Sequence, residues 1–299
     1  MLKTEKFQQL MQRNETLLLP GAYDGMTARL LEEAGFEAIY VTGAGIANAQ
    51  LGWADVGLTT LTEIAQVVSW MADVTKVPLI VDADTGFGNA VNMQRTIKLL
   101  EKAGAAAIQI EDQVMPKKCG HFNGKEVISQ EEMIGKIHAA LDARQDEKLT
   151  IIARTDALSV HGFDEAIRRA NAYKEAGAHA IFIEAPQEAE QIAQIPKLVK
   201  DIPLILNLVE GGKTPLFTQT EVQEMGYSIM LCANTVLRGA IKGAKDAINL
   251  LKQERSQKNI APYICSWEER QTLFKLDEIN NLEEKYSEKS ESGELKWMK

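Results

Sequence analysis

Two stretches, Ala103-Gly104-Ala105-Ala106-Ala107-Ile108-Gln109-Ile110-Glu111-Asp112 and Ala176-Gly177-Ala178-His179-Ala180-Ile181-Phe182-Ile183-Glu184, carry one pattern. A glycine closes an amphipathic stretch, a short apolar run follows, and the run ends on an acid. Glycine just past a helix supplies the left-handed conformation that stops it. A continuous run rich in Ile and Val suits a parallel strand buried on both faces. Ala34-Gly35-Phe36 and Met225-Gly226-Tyr227 repeat the helix-ending step, and Pro78 and Pro203 stand before two further runs, a position where a strand tolerates proline.

Outward from these, eight apolar runs fall at 16–19, 38–41, 79–81, 106–110, 149–153, 180–183, 204–206 and 228–231, with helical patterns between them. Ser129-Gln130-Glu131-Glu132 reads as a capping box opening one helix. Eight strands alternating with helices predict a (β/α)8 TIM-type barrel; a doubly wound sheet, the competitor, usually has fewer strands. The barrel is assigned to residues 1–255. Residues 256–299 form a C-terminal extension, helical around Trp267 and ending in a tail of Glu, Lys and Ser that packs outside the barrel or on a neighbouring subunit.

Composition narrows the function. A formal net charge of −9 argues against nucleic-acid or anionic-membrane partners. The polar first fifteen residues have no signal-peptide core, and no apolar stretch is long enough for a membrane span. Cys119, Cys232 and Cys265 are too few and scattered for a disulfide framework, which predicts a reducing, cytoplasmic setting.

In a barrel enzyme the chemistry sits where strands end. The ends read Tyr23-Asp24, Thr42-Gly43, Asp82 with Asp84, Glu111-Asp112, Arg154 with Asp156, Glu184, Asn207 with Glu210, and Asn234. Asp82, Asp84, Glu111 and Glu184 in one mouth would repel one another without a cation or protons. Oxygen ligands with no His or Cys cluster favour Mg²⁺, or Mn²⁺, over zinc; the alternative is that Asp82 and Asp84 only cap the next helix. Alternation along a strand should aim both the same way. Arg154 either binds a substrate carboxylate or pairs with Glu111 or Glu184. Cys119 lies in the polar loop Pro116-Lys117-Lys118-Cys119-Gly120-His121, where neighbouring cations favour a reactive thiol, although a lone cysteine is usually a small buried hydrophobe. Asp55 is a turn former or a further acid for the metal. His138, His161 and His179 have no visible partner and read as structural.

Together Val81-Asp82-Ala83-Asp84-Thr85-Gly86-Phe87-Gly88, Ile110-Glu111-Asp112-Gln113, Lys117-Lys118-Cys119-Gly120-His121 and Ile152-Ala153-Arg154-Thr155-Asp156-Ala157 resemble the isocitrate lyase and phosphoenolpyruvate mutase superfamily, in its 2-hydroxy-acid lyase branch. The resemblance runs from about residue 20 to residue 263. It implies a Mg²⁺-dependent carbon–carbon lyase in which Asp82 and Asp84 hold the ion, with Asp55 and Glu111 reaching it through water. Thr42, Gly43 and Ala44 would contact the pyruvate-type half of the acid, Thr42 standing where the family commonly has serine, with Arg154 close by. Cys119, on a gating loop, would be the general acid. Gly120, His121, Glu184 and Asn207 would bind the other half. The family also implies a homotetramer that exchanges a C-terminal helix. For the base, Tyr40 is the candidate, with Glu111 or a metal-bound hydroxide as replacements.

Departures from the family pattern bear on the substrate. The 2-methylisocitrate lyases of that family commonly have an arginine after Cys-Gly-His and an Asn-x-Thr-Glu-Phe segment. Phe122 and Asn207-Leu208-Val209-Glu210-Gly211-Gly212 stand there instead. A third carboxylate is costly to bury without charged or hydroxyl partners, so a 2-alkylmalate such as 2,3-dimethylmalate is expected. Methylisocitrate is the runner-up, since Lys213 could serve a third carboxylate, followed by oxaloacetate hydrolase and carboxyphosphonoenolpyruvate mutase activities.

Overall fold

The computed structural model describes residues 1–120, 122 and 124–287. Its strands are β1 (Leu17–Ala22), β2 (Ile39–Val41), β3 (Leu79–Asp82), β4 (Ala107–Glu111), β5 (Thr150–Thr155), β6 (Ala180–Ile183), β7 (Leu204–Asn207) and β8 (Ile229–Cys232). They pair in parallel in sequence order, and β1 closes on β8. This is the (β/α)8 barrel expected. Gly35, Gly104, Gly177 and Gly226 all take positive φ, so the four helix stops lie where the sequence puts them. Ser129 caps the helix Gln130–Ala143 by accepting from the Glu132 N–H at 3.1 Å.

The pleat sorts each strand into two faces. Val41, Val81, Ile108, Ile151, Ile181 and Leu206 point outward into the layer beneath the helices. Leu19, Tyr40, Ile80, Ile152, Phe182 and Leu231 fill the barrel interior. The helix Lys3–Gln12 adds Phe7, Leu10 and Met11 to that interior cluster; the sequence reading left this segment without an element, because three apolar residues in a polar run are a weak signal.

β1 runs further than the apolar run at 16–19, to Ala22, with Pro20 inside it. Gly21 and Ala22 carry it on by pairing with Tyr40 and Val41. A Cβ on Gly21 would stand 1.9 Å from the Ala233 carbonyl oxygen, so only glycine admits this approach of β1 to the end of β8.

Met1–Arg238 form one compact unit, and a second begins at Gly239, within the helix Thr235–Glu254. The second unit continues through the helices Trp267–Leu273 and Leu276–Tyr286, which break where Lys275 takes φ 56°. Ile248, Leu251, Trp267, Phe274 and Ile279 are exposed there. No described helix is long and apolar enough to cross a membrane.

Candidate active site

Asp82, Glu111, Arg154 and Asn207 sit at or near the last residues of β3, β4, β5 and β7, and Glu184 follows β6 directly. All are buried or nearly so. Asp82, Arg154, Glu184 and Asn207 line, with Tyr40, Asp55, Lys117, Cys119, Gly120, Phe122 and Val209–Gly212, a cavity of about 240 Å³ at the carboxyl end of the barrel, and Glu111 stands behind Arg154, 3.3 Å from its Nε. The residues singled out at separate strand ends therefore do meet.

At one end lie the acids. β3 stops at Asp82, so pleat alternation does not reach Asp84; a turn brings Asp84 round instead, with φ 47° and its N–H donating to Asp82 Oδ1 at 3.2 Å. A Cβ on Gly43 would stand 3.1 Å from Asp82 Oδ2 and 3.4 Å from Asp84 Oδ1, which places both carboxylates against that glycine. Lys117 Nζ lies 2.8 Å from Asp84 Oδ1 and 2.5 Å from Asp55 Oδ1. Burial pushes the Asp84 carboxyl up to about 6 despite the Lys117 charge beside it. Burial works against the charge on Lys117, yet Asp84, Asp55, Glu111 and Asp82 together hold its ammonium well above the usual range.

Arg154 gathers the other acids. Its Nε lies 2.9 Å from Asp156 Oδ2 and 3.3 Å from Glu111 Oε2, and its Nη1 lies 3.1 Å from Glu184 Oε2. The guanidinium carbon sits 5.2 Å from the centre of the Phe182 ring. Asp156 has the better share: although buried, it is held down at about 2 by Arg154 and Lys125. Burial instead pushes Glu111 well above the carboxylate range, with Arg154 pulling only partly against it. Arg154 is thus an internal ion-pair hub, as the pairing reading expected, and it also lines the cavity.

Tyr40 is buried in the floor of the cavity. Burial, then the Asp82 charge, push its phenol well above the usual range. Thr42 uses its hydroxyl to accept from the Gly45 N–H at 3.2 Å and reaches Asn234 Oδ1 at 3.3 Å. It caps the turn Gly43–Ile46, of which Ala44 is part. His121 lies outside the described residues. Lys213 lines a neighbouring cavity of about 710 Å³ that shares Phe122. His179 is structural, accepting from the Ile151 N–H through Nδ1 at 3.0 Å.

The loop carrying Cys119 is stiffened from below. Gln113 donates to the Lys118 carbonyl at 2.8 Å and accepts from the Lys118 N–H at 2.9 Å, and the Cys119 N–H donates to the Asp55 carbonyl at 3.2 Å. Beneath the site Asp112 accepts from Thr155 Oγ1 (2.7 Å), the Asp156 N–H (2.9 Å), Arg169 Nη1 (3.0 Å) and Tyr173 OH (2.8 Å). Asp112→Asn is expected to cost about 3 kcal/mol by loosening a buried ion pair, read as a lower urea midpoint. A loss under about 1 kcal/mol would mean the amide takes over these bonds.

The donor set fits a divalent cation. Among the described residues, the carboxyl groups of Asp55, Asp82, Asp84, Glu111, Asp156 and Glu184 outnumber the ammonium or guanidinium groups of Lys117, Lys125 and Arg154 around the cavity. Asp84 Oδ2 and Glu111 Oε1 are buried with no hydrogen-bond donor. Buried carboxylate oxygens in that condition call for a cation or a proton. No three described His, Cys, Asp or Glu side chains already stand as a closed metal cluster; Lys117 occupies the space between Asp84 and Asp55.

The family model described as phosphoenolpyruvate phosphomutase matches residues 7–252. The chain is 43% identical to 2,3-dimethylmalate lyase of Eubacterium barkeri, over 94% of this chain and 97% of the relative. It is also 43% identical to 2-methylisocitrate lyase of Aeropyrum pernix, over 95% and 91%. A crystal structure of 2,3-dimethylmalate lyase, a member of the PEP mutase/isocitrate lyase superfamily, superposes with a TM-score of 0.89 at 33% identity, covering 95% of each chain.

Proposed function

The chain belongs to the phosphoenolpyruvate mutase/isocitrate lyase superfamily, and from that premise we propose that it is a carbon–carbon lyase cleaving a 2-alkylmalate such as 2,3-dimethylmalate to pyruvate and propionate. The observation carrying this reading is the cavity itself, in whose lining Asp55, Asp82 and Glu184 stand together with Cys119, Phe122, Val209 and Gly211.

Asp82 and Asp84 would hold Mg²⁺ or Mn²⁺, with Asp55 and Glu111 behind them. The ion supplies a Lewis acid for the hydroxyl and carboxylate of a 2-hydroxy acid and lowers the hydroxyl's pKa. Tyr40, which lines the cavity, and Glu111, whose Oε1 has no donor, are the candidates to take the hydroxyl proton. As the carbon–carbon bond breaks, its electron pair passes to the second acid as an enolate and a carbonyl forms on the keto acid. Arg154, buried in the cavity wall, would face that developing charge as a fixed cation, which acts strongly where water is excluded. The Cys119 thiol gives its proton to the new carbanion. Asn207 Oδ1, buried and without a donor, is available to a substrate hydroxyl or carboxyl proton.

Phe122 and Val209 in the lining support an alkylmalate over a tricarboxylic acid, since they offer no partner for a third carboxylate. The test is keto-acid release with Mg²⁺ over a panel of dimethylmalate, methylisocitrate, isocitrate, citramalate and oxaloacetate. Dimethylmalate is expected to lead the panel, and chelation of the metal to abolish release until Mg²⁺ is restored. Methylisocitrate cleaved far faster would transfer the assignment to that acid; release indifferent to chelation would remove the metal from the reading.

The exposed apolar side chains of the C-terminal helices, Ile248, Leu251, Trp267, Phe274 and Ile279, support a homotetramer in which that unit packs on a neighbouring copy. Sedimentation should give a tetramer for the full chain.

A further inference from the structure

Lys125 has no part in the chemistry above, yet it is buried at the edge of the site. Its Nζ lies 2.5 Å from the Gly120 carbonyl oxygen and 2.7 Å from Asp156 Oδ1. Asp156 in turn accepts from Arg154 Nε at 2.9 Å and from Nη2 at 3.2 Å. Gly120 is seated on the same group: a Cβ there would stand 2.6 Å from Arg154 Nη2 and 2.5 Å from Glu184 Cδ. One ammonium therefore ties the carbonyl of the residue after Cys119 to the carboxylate that orients Arg154.

From this geometry we infer that Lys125 is a positioning residue that latches the Cys119 loop onto Asp156, making loop closure and alignment of Arg154 one event. A buried ammonium is costly unless its donors are met. Gly120 and Asp156 meet them together only while Gly120 and Lys125 both stay against Asp156. Moving Gly120 away returns Lys125 to water and leaves the Asp156 carboxylate held by Arg154 alone, so the two groups should settle or release in concert. Lys117 acts on the same loop from the other side, but it reaches the proposed metal acids, whereas Lys125 reaches the guanidinium side alone. The catalytic consequence rests on the lyase reading; the latch does not.

The experiment alkylates the full-length protein with iodoacetamide and follows each cysteine by site-resolved mass spectrometry. Exposed Cys265 serves as the internal reference. Lys125→Met is expected to raise Cys119 labelling relative to Cys265 by about tenfold, the change produced by losing one charge-assisted contact. It should also lower kcat more than it raises KM, and Lys125→Arg should restore most of the protection. Where Lys125→Met fails to fold, Lys125→Gln keeps a donor without the charge and should label at an intermediate rate. Cys119 labelling within about twofold of wild type in the folded variant overturns the latch. Raised labelling with unchanged kcat overturns its coupling to Arg154. Raised labelling in a protein that cleaves no hydroxy acid leaves the latch standing and removes the lyase reading instead.

Discussion

Turnover by a Cys119→Ala variant is expected to fall by about 10³-fold, while Mg²⁺-dependent pyruvate binding stays near that of wild type. The size follows from what a positioned general acid contributes, roughly 10²–10⁴ in rate. The selectivity follows from how the loop is held. The Cys119 N–H donates to the Asp55 carbonyl at 3.2 Å and its carbonyl accepts from the Phe122 N–H at 2.8 Å. Gln113 clamps the neighbouring Lys118 from both sides. These contacts are made by backbone groups and by Gln113, so alanine should keep the loop's backbone anchors while removing the proton. Pyruvate binding, measured by calorimetry, draws on the acidic end of the cavity and should not register the change. Cys119→Ser keeps a donor of much weaker acidity and should recover little of the rate. Turnover of the alanine variant within about tenfold of wild type would mean that the carbanion takes its proton elsewhere.

The barrel was legible because each strand is a short apolar run bracketed by signals that act locally. A left-handed glycine or a proline precedes six of the eight and polar residues follow, and neither depends on distant contacts. The reading falters where local chemistry and tertiary need part company. Pro20 looks like the end of β1, yet the strand continues because Gly21 alone can approach Ala233 so closely. The helix Lys3–Gln12 hides its purpose for the opposite reason. Phe7, Leu10 and Met11 make a narrow stripe that means little until the interior of the barrel is there to receive it.

The same division runs through the site. Asp82, Glu111, Arg154, Glu184 and Asn207 could be picked out because the fold sends every strand end to one mouth. What the sequence withholds is how the charges are shared. Asp156 stands two residues after Arg154, just past the end of β5, and that closeness in sequence was the available sign of their pairing. Lys125 gives no such sign: nothing local distinguishes it from a solvated loop lysine, and its partners Gly120 and Asp156 converge only through the fold. Thr42 shows the reverse, a hydroxyl expected to face substrate that is engaged in capping the turn after β2.

Arg154→Lys should lower kcat/KM by about 10²–10³-fold, the scale on which loss of one preorganised donor to developing charge is felt. Lysine keeps the charge but is a single point on a flexible stem, whereas the guanidinium presents donors in a fixed plane. Here that plane is fully used: Nε serves Asp156 and Glu111, Nη1 serves Glu184, and the face lies over Phe182. One ammonium cannot satisfy all three carboxylates, so at least one is left to take up a proton or to move. Glu111, pushed up by burial already, is the one to protonate, and it is then no longer a base. The defect should therefore fall mainly on kcat. Arg154→Met, which removes the charge as well, should in addition lose about 3–5 kcal/mol of stability, the cost of stripping a buried ion pair of one partner. Unfolding by denaturant separates the two effects, because the lysine variant should remain much nearer the wild-type midpoint. A lysine variant with nearly full kcat/KM would show that Arg154 acts as a simple point charge and that its geometry around Asp156, Glu111 and Glu184 serves folding alone.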